Sequence, residues 1–201
     1  MTKLNEIIEQ KYSIQSIQND YQLGTELKFI FFWKPQPSLD GTVTESCLSQ
    51  WWQSDFEVDG QKYTYMEQFM MACKARLFHD DAAYAEILKS QSPKQMLALG
   101  RKVKGFEQSI WDTHKFSIIY YGNLMKFSQN EELEKFLLST RDRVIVEASP
   151  CDGIWGIKMA ASEEGVDNPT KWHGQNLLGC ALMQVRDTLF IAENPKFGKE
   201  Q

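Results

Sequence analysis

Two residues able to exchange a proton with a substrate, Glu67 and Lys74, lie in the stretch YTYMEQFMMACKARLF from Tyr63 to Phe78. Their spacing of seven residues turns an α-helix through nearly two full turns, so both would share a face, about 10 Å apart along the axis. A carboxylate and an amine among Tyr63, Met70 and Met71 suit acid–base or imine chemistry. The plainer account is that Thr64-x-x-Glu67 is a capping box and Lys74 a solvated helix lysine, and periodicity alone favours it.

Four further clusters carry polar or aromatic groups at places where sites form. In VEASPCDGIWG, from Val146 to Gly156, a strand runs into a glycine-rich turn with Glu147, Asp152 and Trp155. Such turns often carry function, although Asp152-Gly153 also reads as a simple turn and Trp155 as core. In KWHGQNLLG, from Lys171 to Gly179, Asn176 precedes an apolar helix. Its first N–H groups could hold a phosphate, or Asn176 could be an ordinary N-cap. The adjacent Trp51 and Trp52 point to opposite faces if extended, so one could stack on a base while the other packs inward. Trp111 and Asp112 open another helix, where the helix dipole accounts for Asp112.

These residues need elements to hold them. KFIFFW, from Lys28 to Trp33, reads as a strand. Phe56 to Tyr63 reads as a hairpin about Asp59-Gly60. Helices are expected near 65–78, 81–90, 93–101, 110–127 and 130–139, with capping boxes at Thr64/Glu67, Ser92/Gln95 and Ser128/Glu131. Val144–Val146 is a short buried strand, a long loop runs from Ala148 to about Gln175, and a last helix starts near Asn176. Few strands among many helices indicate an α+β class, a predominantly helical single domain with a small β-sheet. Residues 1–28 read as an appendage with a short helix through Leu4, Ile7, Ile8 and Tyr12, residues 29–191 as the domain, and residues 192–201 as a tail.

Composition narrows the function. The 201 residues carry a formal net charge of −5, which disfavours non-specific nucleic-acid binding through neutralised phosphates. The four cysteines and three histidines show no zinc-type or disulfide-type spacing, so no metal and no cofactor is expected. The polar start is unlike a signal peptide and no apolar run has the length of a membrane span, so a cytoplasmic setting without membrane contact is expected. Rossmann, P-loop, H-E-x-x-H and G-x-S-x-G signatures are missing.

Taken in order, Ser49-Gln50-Trp51-Trp52, Tyr63-x-x-x-Glu67 with Lys74-Ala75, Ser92-Pro93, Leu99-Gly100-Arg101, Trp111, Glu147-Ala148-Ser149-Pro150-x-Asp152, Trp155-Gly156, Trp172-x-Gly174-x-Asn176-Leu177-Leu178-Gly179 and Arg186 resemble the NADAR family over about residues 29–191. The resemblance implies an N-glycosidase that cleaves a ribose C1′–N bond. Its substrate would be a phosphoribosylamino-pyrimidine intermediate of riboflavin synthesis or ADP-ribosylated guanine. The partner is then a small nucleotide-like molecule, or ADP-ribosylated nucleic acid. A non-catalytic ADP-ribose or nucleotide-binding module is the alternative. On this reading Glu67 moves the proton, with Glu147 or Asp152 assisting, and Lys74 either clamps phosphate or attacks C1′. Arg101 and the helix start at Asn176 hold the sugar phosphate, Trp52 or Trp155 stacks on the base, and Tyr63, Trp111 and Gly156 complete the binding surface. The stretch from Ile157 to Thr170, with Glu163, Glu164 and Asp167, is longer than in short members of the family and is expected to border the pocket.

Overall fold

The computed structural model describes residues 6–194. In chain order its elements are α1 (Ile14–Gln22), β1 (Phe29–Phe32), a 3-10 turn (Glu45–Leu48), β2 (Phe56–Val58), β3 (Gln61–Tyr63), α2 (Met66–Leu77), α3 (Asp81–Lys89), α4 (Pro93–Gly100), α5 (Gln108–Ser128), α6 (Glu131–Ser139), β4 (Val144–Glu147), a second 3-10 turn (Pro169–Lys171) and α7 (Leu177–Glu193). The class is α+β and predominantly helical, as the sequence indicates. The expected small sheet is two separate two-stranded sheets among the described residues. Among the described residues, contacts divide the chain into two compact units, one of residues 6–8 and 50–130, the other of residues 9–49 and 131–194.

In the first unit α2 packs against α3, α4 and α5. It is buried almost all round, through Met66, Glu67, Gln68, Phe69, Met70, Met71, Ala72, Cys73 and Ala75. Two glycines let its neighbours close on it. A Cβ on Gly100 would overlap the Met71 side chain, and one on Gly122 would meet Phe69 and Met66 at 2.5–2.6 Å. The hairpin forms as expected, with Asp59 and Gly60 both at positive φ, the twist a two-residue turn needs.

The capping boxes do not form where the sequence puts them. Helix α2 starts one residue late, with Tyr65 at the N-cap and no side-chain cap. That places Gln68, not Glu67, where it can reach back: its Oε1 accepts the Thr64 N–H at 3.0 Å. The Gln68 amide also donates to the Ile87 and Leu88 carbonyls, tying in the end of α3. Ser92 precedes Pro93 as expected but makes no side-chain cap, and Ser128 closes α5 instead of opening α6. The box that does form joins Ser13 and Ser16 on α1.

In the second unit β1 and β4 pair in parallel, Phe29 opposite Val144 and Phe32 opposite Glu147. Helix α7 covers β4. From Glu9 onward, the segment expected as an appendage is built into this unit. Ile17 is buried, Gln18 donates to the Pro169 carbonyl, Tyr12 donates to Asp187 of α7, and Gln184 bonds the backbones of Glu9 and Lys11. Its helix starts at Ile14 and not across Ile7, Ile8 and Tyr12, because Ser13 supplies the cap; Leu4 and residues 195–201 lie outside the described residues.

Loop 148–176 is held by backbone contact. A Cβ on Gly179 would lie 2.1 Å from the Ile145 carbonyl oxygen, and one on Gly174 would lie 2.2 Å from that of Gly156. Gly179→Ala and Gly122→Ala both add the same methyl group inside a helix and gain the same helix propensity. At Gly122 flexible side chains can turn aside, whereas at Gly179 a strand backbone must move. Gly179→Ala should therefore lose stability by about 1–3 kcal/mol or more, and Gly122→Ala clearly less, in urea unfolding of the two variants. Equal losses would show that the strand and α7 separate easily.

Candidate active site

Glu67 is 4% exposed. Its backbone N–H donates to the Gln50 carbonyl at 3.0 Å, and its Oε2 accepts the indole N–H of Trp51 at 3.2 Å. A buried carboxyl group needs hydrogen-bond partners. The chain supplies one from a tryptophan that is itself 36% exposed. With Gln68 serving the start of the helix, the capping account of Glu67 falls away: its carboxylate faces Trp51.

Lys74, two turns further along α2, is half-buried. Its Nζ lies 4.1 Å from the Phe106 ring centroid and 5.5 Å from that of Trp111. Burial lowers its pKa below the usual lysine range, and the charge of Arg101 lowers it further. The aromatic faces attract the ammonium, while burial and the Arg101 charge disfavour it. Arg101, just past the end of α4, is exposed, and Trp111 is buried at the start of α5. The solvated-lysine account therefore does not describe Lys74.

The other candidates of this unit divide. Tyr63 is a core residue. It stacks on Phe56 at 5.7 Å and meets Phe69 edge-on at 5.1 Å, and burial raises its hydroxyl pKa above the usual tyrosine range. Trp52 is half-buried. Sequence reasoning takes Trp51, beside Trp52, as a stacking or core residue without linking it to Glu67, and it does not single out Phe106. Their contacts with Glu67 and Lys74 cross 16 and 32 positions, and no local spacing reports them.

In the second unit, Glu147, Asp152, Trp155, Gly156 and Asn176 lie at the end of β4 and the start of α7. Asn176 is fully buried and takes a left-handed backbone, φ 50°. Its side chain does not cap the helix. Instead Oδ1 accepts the Glu147 N–H at 3.0 Å and Nδ2 donates to the Ile145 carbonyl at 2.8 Å, clamping the strand. The N–H groups of Asn176, Leu177 and Leu178 go to the carbonyls of Gly156, Ile154 and Trp155. The start of α7 thus spends its first donors on its own loop. Asp152 Oδ1 accepts the N–H groups of Ile154 and Trp155, both at 2.8 Å, which sets the turn. At Gly156 a Cβ would come within 2.7 Å of the Glu147 carbonyl oxygen. Further along, exposed Glu163 accepts the Ala160 N–H, and Trp172 is buried, donating to the Val166 carbonyl at 2.7 Å. Among the described residues no group of three or more His, Cys, Asp or Glu side chains could hold a metal ion. Among them also, no helix is long and apolar enough to cross a membrane.

Known proteins are similar to this chain. The NADAR domain matches residues 31–190. An N-glycosidase of Acanthamoeba polyphaga mimivirus is 42% identical over 166 residues, 80% of this chain and 95% of that protein. A chloroplastic riboflavin biosynthesis protein of Zea mays is 36% identical over 108 residues, 52% of this chain and 16% of that protein. The NMR structure of the E. coli protein YbiA is similar with a TM-score of 0.65 at 25% identity, covering 83% of this chain and 87% of that one. Relatives at this level make the chain a glycosidase enzyme, one that cleaves N-glycosidic bonds. Within that class it belongs to the NADAR family.

The setting of Lys74 has a chemical signature. Its amine should become reactive toward acetic anhydride at a lower pH than exposed lysines such as Lys62. In Arg101→Gln the onset should move to higher pH, because a neighbouring cation no longer disfavours the ammonium. Peptide mapping of partly acetylated protein across pH measures both. An onset unmoved by Arg101→Gln would show that burial alone sets the proton affinity.

Proposed function

We propose that the substrate is a phosphoribosylamino-pyrimidine, whose ribose C1′–N bond is hydrolysed with Glu67 and Lys74 in the leading roles. One observation carries this reading: a single helix, α2, presents a buried carboxylate braced by an indole N–H and, two turns on, a half-buried lysine whose pKa burial and the Arg101 charge lower. The name of the maize relative supports the substrate class.

The chemistry follows from these two groups. The neutral Lys74 amine attacks C1′, and the electrons of the C1′–N bond pass to the leaving nitrogen, which takes a proton from Glu67. The sugar ring then opens as one proton of the Lys74 nitrogen passes to the ring oxygen and the other returns to the Glu67 carboxylate, which gives an imine. Water then hydrolyses the imine, returning the amine and releasing free sugar phosphate. The net change is addition of one water across the C1′–N bond. Exposed Arg101 is the phosphate partner, and the start of α7 is left out of that role because its donors are already bonded. Trp52 offers a face for the base. Glu147 and Asp152 are the reserve carboxylates. The same bond in ADP-ribosylated guanine is the second substrate to assay, and the cytoplasm is the compartment in which either would be met.

Purified protein should release free base from a phosphoribosylamino-pyrimidine, read by mass spectrometry. Glu67→Gln keeps an acceptor for the Trp51 N–H and leaves the Gln68 cap intact, so it should fold normally and lose roughly 100-fold or more in turnover. Asp152→Asn keeps an oxygen for the Ile154 and Trp155 N–H groups and should retain activity. Full turnover by Glu67→Gln, or loss in Asp152→Asn alone, would transfer the acid–base role to the second carboxylate. Borohydride added during turnover should leave a reduced sugar adduct on Lys74. Turnover without an adduct would limit Lys74 to binding phosphate, a role that Lys74→Arg could partly keep.

A further inference from the structure

We infer that Trp51 is a positioning residue for the glycosidase reaction: its indole N–H fixes the Glu67 carboxylate so that the transferable proton is carried on Oε1. The inference rests on the proton-transfer role of Glu67 set out above. It is carried by the geometry at Oε2, which the Trp51 Nε1 approaches at 3.2 Å.

Three properties make this contact more than packing. An indole N–H can only donate, so Oε2 must be the acceptor whether or not Glu67 is protonated. In a protonated carboxyl the carbonyl oxygen is a better acceptor than the hydroxyl, so the N–H at Oε2 favours the proton on Oε1. The terminal torsion of a glutamate side chain is broad and roughly two-fold, so an unpinned carboxylate would present either oxygen over a range of angles. One donor on one oxygen removes that freedom. Finally, the Gln50 carbonyl holds the Glu67 N–H at 3.0 Å, so consecutive residues, Gln50 and Trp51, grip the backbone and the side chain of the same glutamate. A tryptophan that leaves 36% of its surface in solvent is poorly explained as core. It is well explained as a long, rigid arm that carries an N–H from the surface to a buried carboxylate.

The test is a double-mutant cycle with Trp51→Phe and Glu67→Gln on a phosphoribosylamino-pyrimidine. Trp51→Phe keeps an aromatic ring and removes the donor. A second variant, in which benzothienylalanine replaces Trp51, puts sulfur in place of the N–H with the ring shape unchanged, and it guards against loss of fold. In the parent background both should lower kcat by roughly 10- to 100-fold, the scale of a misplaced catalytic group, with KM nearly unchanged. In the Glu67→Gln background neither should lower kcat further, because residues acting as one unit are not additive. Three outcomes overturn the inference: parental kcat in both variants, a loss confined to KM, which would make Trp51 a substrate contact, or an equal fold-loss in the Glu67→Gln background, which would make its effect independent of Glu67. If Glu67→Gln itself keeps full turnover, the reading of Glu67 fails and this inference fails with it. If Glu67→Gln is inactive while both Trp51 variants are fully active, the inference alone fails.

Discussion

The near-complete burial of α2 is the constraint from which the first unit follows. A helix closed in on almost every side must place its polar side chains where partners exist, because an unmet buried polar group costs about 1–3 kcal/mol. Glu67 and Gln68 sit side by side under that constraint and solve it differently. Gln68 has a donor and an acceptor, and it uses them on backbone groups, the Thr64 N–H and the carbonyls that end α3. Glu67 takes an indole N–H from a residue near the surface. The structural work at the start of the helix is done by the amide, so the carboxylate is not needed for it.

The second unit rests on close backbone approach. Gly156, Gly174 and Gly179 each stand where a Cβ would press into a carbonyl oxygen or a neighbouring main chain, and Asn176 bonds β4 on both sides of Val146 with one amide. Strand, loop and helix are thereby fixed at a spacing that side-chain packing alone would not define. That rigidity reaches Glu147, whose N–H is one of the two groups Asn176 holds, and the turn after it, whose amides Asp152 gathers.

Sequence reasoning could see what depends on neighbours in the chain. The hairpin was legible because Asp59-Gly60 is the pair that tolerates two successive positive φ angles, and the helices were legible from their apolar period. The capping residue of α2 was misplaced by one position, since Thr64, Glu67 and Gln68 permit either register and only packing against α3 selects Gln68. Asn176 was readable as an N-cap because nothing local reveals its left-handed backbone or its distant partner, Ile145. The α2 pair, Glu67 and Lys74, was visible as a spacing, but its environment was not. The Trp51 donor and the Phe106 ring reach it only after folding, and the lowered pKa of Lys74 depends on burial and on Arg101 from another helix. The parallel pairing of β1 with β4 was hidden for the same reason, as it joins segments more than a hundred residues apart.

The separation of Glu67 and Lys74 along one helix has an electrostatic consequence. Were the two in contact, the carboxylate would favour the ammonium and raise the lysine pKa. The influences on Lys74 are instead burial and a cation, both acting downward. Two turns of helix, about 10 Å, hold the Glu67 carboxylate away from the Lys74 amine, while the rigidity of the helix keeps their mutual distance constant. A ribosyl–nitrogen bond has an electrophilic carbon at one end and a nitrogen that must be protonated at the other, so it demands a nucleophile and an acid that do not neutralise each other. In the proposed reaction, a fully packed helix that carries Glu67 and Lys74, each with its own surroundings, meets that demand more directly than two groups on independent loops could.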